Sequence, residues 1–174
     1  MAKYNQLIAR RVRECNVYAE VHPLHDSAWQ KIKEIESQGN HFLQADPTVY
    51  TERSSPRCPK EIFEMGIPIL GICYGSQLMA YMLGGKVETA PVSEYGHTDV
   101  TVDTDDILFE GVSKETVAWM SHTDYIAQAP EGFKITAHTS VVSGSSYVLS
   151  GEKVLRYTVP SGSYAYRRRK NDAE

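Results

Sequence analysis

The sequence predicts an α/β sandwich with a mostly parallel central sheet and smaller antiparallel strands. Helical and strand-like segments alternate in the first half of the chain, whereas short strand-like segments separated by Gly, Ser, Asp or Pro fill the second half. The apolar run IPILGIC, residues 67–73, is typical of a strand buried inside a parallel sheet. With 174 residues, the chain is expected to form one domain, 1–174, in which 165–174 is a flexible basic tail.

Each element is predicted from a local pattern of apolar spacing and of residues that begin or end helices. In the first half we expect a helix at 4–15, a strand at 17–21, a helix at 28–39 capped by Ser27, a strand end within 41–50, a short helix at 61–66 closed by Gly66, a strand at 67–73 and a helix at 76–85. In the second half we expect strands within 97–104, 116–122, 133–140, 145–151 and 153–159.

Composition and charge exclude several classes of protein. The net charge is -4, which argues against nucleic acid as the main partner, and no segment is long and apolar enough to predict a membrane span. The three cysteines, Cys15, Cys58 and Cys73, are few and odd in number, which favours the reducing cytoplasm. No His or Cys spacing predicts a metal site, and we expect neither a metal nor a cofactor.

One short segment contains a candidate nucleophile. Cys73 lies in the pattern Gly71-Ile72-Cys73-Tyr74-Gly75, between a predicted strand and a predicted helix, which is the outline of a nucleophile elbow. Small residues are needed on both sides because strand and helix approach closely at such a turn. The helix N-terminus lowers the pKa of a thiol there and can hold a developing oxyanion. The alternative is a small cysteine buried in a core strand.

Several segments resemble one family. GIPILGICYGSQLMAYMLGGKV resembles the nucleophile segment of class I glutamine amidotransferases, and six further segments are similar, in the same order, to the glutaminase domain of GMP synthetase. These are YNQLIARRVRE, CPKEIFEMG, EYGHTDVTV, LFEGV, WMSHTD and APEGFKITAHT. The resemblance implies hydrolysis of L-glutamine through a cysteine thioester. It also implies delivery of ammonia to a separate ATP-pyrophosphatase (synthetase) subunit that aminates XMP in GMP biosynthesis.

The resemblance also implies roles for individual residues. Cys73 is then the nucleophile. The residues implied to bind the oxyanion and the substrate are Gly71, Tyr74, Gly75, Gln77, Ser121, His122 and Asp124. In this set the N-H of Tyr74 is one oxyanion donor and Gln77 contacts glutamine. The segment from Ser121 to Asp124 lines the side that faces the substrate or the partner.

Three segments depart from the family pattern. The chain opens with MAK where the family has a strand and a glycine-rich turn, and Leu43-Gln44-Ala45-Asp46 replaces the glycines of the oxyanion turn. The catalytic His and Glu of the family fall on Ser161 and Ser163, and no histidine follows His138. His122, which Asp124 could orient, and His138 are the alternative bases of the second half.

Three hypotheses follow. The first is a working glutamine amidotransferase. The second is a catalytically deficient relative that keeps the fold and acts as a binding or interaction module, because loss of a triad member lowers the rate by orders of magnitude. The third is a recombined or engineered sequence, since the match ends abruptly after Thr139.

Overall fold

The structure is a computed structural model that describes residues 5–22, 30, 40–44, 58–67, 69–140, 146–149 and 156–159. Its α-helices are α1 (Asn5–Glu14) and α2 (Tyr74–Met82), and short 3-10 helices lie at Lys60–Glu64 and Ile107–Phe109. Its strands are β1 (Asn40–Gln44), β2 (Ile69–Cys73), β3 (Lys86–Val102), β4 (Glu115–Gln128), β5 (Phe133–Thr139), β6 (Ser146–Leu149) and β7 (Arg156–Val159). The predicted helix at 28–39 and the predicted tail at 165–174 lie outside the described residues, apart from Gln30, which is helical.

The described strands form one mixed sheet in the order β1-β2-β7-β6-β5-β3-β4. β2 pairs in parallel with β1 on one side and with β7 on the other. The pairs β7-β6, β6-β5, β5-β3 and β3-β4 are antiparallel. Among the described strands the antiparallel part is therefore larger than the sequence indicated, because β3 and β4 continue well beyond the predicted segments.

A bulge and a glycine allow β3 to continue as one long strand beside β4. β3 runs from Lys86 to Val102 through Pro91 and Gly96, two residue types that commonly interrupt strands. The register of β3 against β4 shifts between Thr89 and Glu94, which is a bulge that accommodates a proline without a ladder N-H. Gly96 has a φ of 93°, a conformation that glycine adopts without strain.

The predicted strand at 17–21 is wrong. Residues 17–22 are neither helix nor strand. Asn16, with a φ of 60°, turns the chain at the end of α1. The guanidinium group of Arg13 donates from Nε to the carbonyl oxygen of Ala19 at 3.0 Å, so this carbonyl bonds to a side chain rather than to a neighbouring strand.

The buried apolar side chains of the described residues form two clusters. The first packs α2 and the 3-10 helix at Lys60–Glu64 against the sheet and contains Cys58, Ile62, Phe63, Ile69, Tyr74, Leu78, Met79, Ala80 and Ile126. The second lies under the β3-β4 hairpin and contains Val100, Val102, Ala118, Met120 and Ala137. Among the described residues, no helix has the length and hydropathy needed to cross a membrane.

Candidate functional site

The turn that carries Cys73 joins β2 directly to α2. β2 ends at Cys73 and α2 begins at the next residue, Tyr74. A Cβ placed on Gly71 would lie 2.8 Å from the Cα of Ser76 and 2.9 Å from the carbonyl carbon and oxygen of Gly75. Because these neighbours are backbone atoms, they cannot rotate away as a side chain would. The close approach of strand and helix that the glycine spacing predicts is therefore present, and only glycine fits at 71.

The first turn of α2 is buried against the sheet. Tyr74, Gly75 and Ser76 are all buried, and Tyr74 belongs to the larger apolar cluster. The N-terminal turn of a helix presents backbone N-H groups and the positive end of the helix dipole, which favour a thiolate or an oxyanion next to it. The chain thus holds Cys73 at the kind of helix end that stabilises negative charge.

The carboxyl ends of three parallel strands meet beside Cys73. Gln44, the last residue of β1, lies opposite Cys73, and Val159, the last residue of β7, lies opposite Ile72. Ligands of open parallel sheets bind at such an edge, outside the carboxyl ends of the strands. The segment predicted to replace the oxyanion turn thus starts next to the cysteine, since Leu43 and Gln44 pair with Ile72 and Cys73. Ser161 and Ser163 lie outside the described residues.

A hydrogen-bonded link brings two of the predicted site residues together. The side-chain amide of Gln77, one helical turn after Cys73, donates from Nε2 to the backbone carbonyl of Asp124 at 2.8 Å. The hydroxyl of Thr89 donates to Oδ1 of Asp124 at 2.9 Å. Helix α2 is therefore tied to the β3-β4 hairpin beside the elbow. Sequence reasoning missed Thr89, because nothing in the sequence marks it as the cross-strand neighbour of Asp124.

The remaining predicted residues lie on the same hairpin and on β5. Ser121 pairs with Tyr95 and His122 with Glu94, which places both on β4 just before Asp124. His138 lies on β5 opposite Thr101, and its side chain is exposed. Within the described ranges, no group of three or more His, Cys, Asp or Glu side chains is arranged to hold a metal ion.

Cys58 has a different environment from an activated thiol. It is buried in the larger apolar cluster, and burial raises the pKa of its thiol to about 11. A thiol with that pKa stays protonated at neutral pH and is a poor nucleophile. Its assignment as a structural cysteine therefore agrees with its surroundings.

The fold is that of an α/β domain with a cysteine at the carboxyl edge of parallel strands, and comparison with known proteins gives its family. The sequence model of class-I glutamine amidotransferases matches residues 1–145. The chain belongs to the class-I glutamine amidotransferase family. The resemblance seen in the sequence is confirmed, and so is the fold class.

The similar curated proteins are longer than this chain. A GMP synthase (glutamine-hydrolyzing) from Clostridium botulinum, strain Alaska E43, is 62% identical over 139 residues, which are 80% of this chain and 27% of the relative. A GMP synthase (glutamine-hydrolyzing) from Clostridium perfringens is 58% identical over 139 residues, again 80% of this chain and 27% of the relative. The chain therefore spans about a quarter of the length of these relatives.

Solved structures show the same fold at low sequence identity. The crystal structure of a protein from Thermoplasma acidophilum, described as a GMP synthase subunit, has a TM-score of 0.69 at 21% identity, covering 91% of this chain and 77% of that one. A glutamine amidotransferase from Thermotoga maritima has a TM-score of 0.66 at 20% identity, covering 86% of this chain and 67% of that one.

Proposed function

We propose that this chain is the glutamine amidotransferase domain of a GMP-synthase-type enzyme. It binds L-glutamine, transfers the γ-acyl group to Cys73 and releases ammonia for a separate synthetase subunit that aminates XMP in the cytoplasm. The observation that carries the proposal is the elbow, in which Gly71 packs on the backbone of Gly75 and Ser76 and holds Cys73 between β2 and the first turn of α2. The 62% identity to a glutamine-hydrolyzing GMP synthase supports it.

The proposed chemistry uses the thiolate of Cys73 as the nucleophile. The sulfur attacks the side-chain amide carbon of glutamine, and the N-H of Tyr74 stabilises the oxyanion of the tetrahedral intermediate. The C-N bond then breaks, and the departing nitrogen takes up the proton that the thiol gave away, which leaves a thioester and ammonia. Water hydrolyses the thioester and releases glutamate, so the thiol is restored.

Turnover in this chain is proposed to be slow. The proton must be carried from the thiol to the leaving nitrogen, and the family pattern places a His and a Glu where this chain has Ser161 and Ser163. Loss of a triad member commonly lowers the rate by about 10³-fold or more, while binding and the oxyanion site remain. The second candidate function, a glutamine-binding module without turnover, is favoured by the same substitution.

The first prediction concerns release of ammonia from L-glutamine. We expect the purified chain to release ammonia above the level of its Cys73→Ala variant, because the thioester route requires that sulfur. Cys15→Ala is the matched control, since Cys15 is exposed and lies just after α1, far from the elbow in sequence. Equal release by the wild-type chain and by Cys73→Ala would exclude the enzymatic proposal and leave the binding module.

The second prediction concerns the order in which the thiols react. Because helix α2 begins right after Cys73, we expect iodoacetamide to alkylate Cys73 at pH 6 to 7, with protection by L-glutamine. Cys58, with a pKa raised to about 11 by burial, is expected to remain unmodified below about pH 9 in the folded protein. Peptide mass mapping across pH measures both. Alkylation of Cys58 before Cys73 would contradict the assignment of the two environments.

A further inference from the structure

The β3-β4 hairpin has one side that is unusual for an antiparallel sheet. Tyr95, Val117 and Trp119 are 66%, 51% and 57% exposed, and His97, which pairs with Trp119, is exposed as well. The rings of His97 and Trp119 meet edge to face, with their centroids 4.5 Å apart. These four residues, Tyr95, His97, Val117 and Trp119, are called the aromatic face below.

The opposite side of the hairpin already supplies the core. Val100, Ala118 and Met120 occupy the intervening positions and are buried in the second apolar cluster. An antiparallel sheet with one face on the core is expected to carry polar side chains on the other face. Here three large apolar side chains and a histidine lie there together, which marks a surface for another macromolecule. Tyr and Trp are the side chains that most often dominate the binding energy of such surfaces.

The charges around the aromatic face indicate what kind of partner fits it. Asp99, exposed on β3, pairs with Val117, and Glu115 at the end of β4 accepts a hydrogen bond from Thr101 at 2.9 Å. No Lys or Arg occupies the same side of either strand, at 93, 95, 97, 99 and 101 or at 115, 117, 119, 121 and 123. A second copy of this chain would bring carboxylates against carboxylates. A partner with Arg or Lys around an apolar recess would be complementary.

The aromatic face is continuous with the candidate site. The hydroxyl of Tyr95 lies 3.2 Å from Oγ1 of Thr123, which also accepts from Ser93 at 3.4 Å. The next residue, Asp124, is the one whose carbonyl receives the amide of Gln77. A partner on this face would therefore lie beside the strand segment that reaches α2 and the elbow. Such a position suits a protein that takes up ammonia released at Cys73.

The proposed function, together with the charges around the aromatic face, indicates the partner. The ammonia that we propose is released at Cys73 must be taken up by a synthetase, and the Clostridium botulinum relative, of which the match covers 27%, is a GMP synthase. We propose that the aromatic face docks a synthetase subunit, by inserting Trp119 into an apolar recess lined by Arg or Lys. This inference rests on the proposed function, because it identifies the surface through which the ammonia-consuming partner binds.

The experiment measures binding of the full chain to the synthetase portion of that Clostridium botulinum relative, prepared as a separate polypeptide. The portion is used only in preparations that aminate XMP with ammonium salt, which shows that it is folded. Calorimetry is expected to detect binding that Trp119→Ala weakens by roughly 30-fold, as is typical of an aromatic anchor. Asp99→Lys is expected to weaken binding as well, most clearly at low salt.

Tyr18→Ala is the matched control, because Tyr18 is 81% exposed and lies outside the aromatic face. It should bind like the wild-type chain. The inference is overturned if the wild-type chain fails to bind a portion that aminates XMP, or if Trp119→Ala and Asp99→Lys bind as tightly as Tyr18→Ala. Alkylation of Cys73 that L-glutamine blocks is measured on the same preparations. If L-glutamine does not block alkylation of Cys73 in the wild-type chain, the proposed function is overturned. If L-glutamine blocks alkylation but the chain does not bind the synthetase portion, only the docking surface is overturned.

Discussion

Replacing Ser161 by His together with Ser163 by Glu is expected to raise ammonia release from L-glutamine by about 10² to 10⁴-fold, the range that general acid-base catalysis contributes. The expectation rests on the position of β7, which runs parallel to β2 and ends at Val159 opposite Ile72, one residue before Cys73. The two serines follow that strand along the chain, at the positions that the resemblance assigns to the His and Glu of the family. A restored imidazole would take the thiol proton and return it to the leaving nitrogen.

The single variants separate the two roles. Ser161→His alone should recover part of the rate, whereas Ser163→Glu alone should change little, since a carboxylate without an imidazole has nothing to orient. The double variant combined with Cys73→Ala should return to the background rate. The pH profile gives a further test, because the rate of the double variant should rise as the imidazole loses its proton, near the ordinary histidine pKa of about 6.5. An unchanged rate in the double variant would show that the chain after Val159 does not reach the cysteine.

The parts of the site that lie close together in sequence were predictable. The elbow follows from two glycines that flank one cysteine, an apolar run before it and a helical period after it, and these features all lie within residues 67–85. The structure places β2 and α2 there with the strand ending at Cys73. Local patterns suffice in this case because the backbone of one short turn determines the arrangement.

Contacts between distant segments were not predictable in the same way. Gln77 and Asp124 are 47 positions apart, and Thr89 meets Asp124 only through the register of β3 on β4. That register includes a bulge after Thr89, which no alternation of apolar and polar residues reveals. The aromatic face could not be predicted from the sequence for a related reason. The alternation in TVAWM predicts a strand with two different sides, but it does not say which side meets the core when both carry large apolar residues.

The predicted strand at 17–21 is an element that the sequence pattern indicated and the structure does not contain. Val17, Ala19 and Val21 alternate as strand residues do, yet Val17 is 55% exposed and the carbonyl of Ala19 bonds to Arg13. A strand needs a neighbour that accepts its backbone groups, and a sequence pattern of five residues cannot supply one. The alternation therefore fits a solvated segment after α1 equally well.

The second large effect is expected from Gly71→Ala. The added Cβ would lie under 3.0 Å from three backbone atoms of Gly75 and Ser76, so either β2 or the first turn of α2 must move. Overpacking against side chains commonly lowers the free energy of unfolding by about 1 to 3 kcal/mol. Because backbone atoms cannot change rotamer to make room, we expect this substitution to lie at the upper end of that range or above it. For a domain of this size that corresponds to a melting temperature lowered by roughly 6 to 12 °C, which differential scanning calorimetry measures.

Gly111→Ala is the matched control for the loss of a glycine. Gly111 has a φ of 76°, and no atom would lie within 4 Å of its Cβ, so only backbone strain of about 1 kcal/mol is expected. The two variants should also differ at the site. A shift of the α2 N-terminus away from β2 would remove the helix end that stabilises the thiolate, so Gly71→Ala should slow alkylation of Cys73 at pH 6 to 7, and Gly111→Ala should leave it unchanged. Equal melting temperatures and equal alkylation in both variants would mean that the strand and the helix do not meet at the elbow as closely as the packing of Gly71 requires.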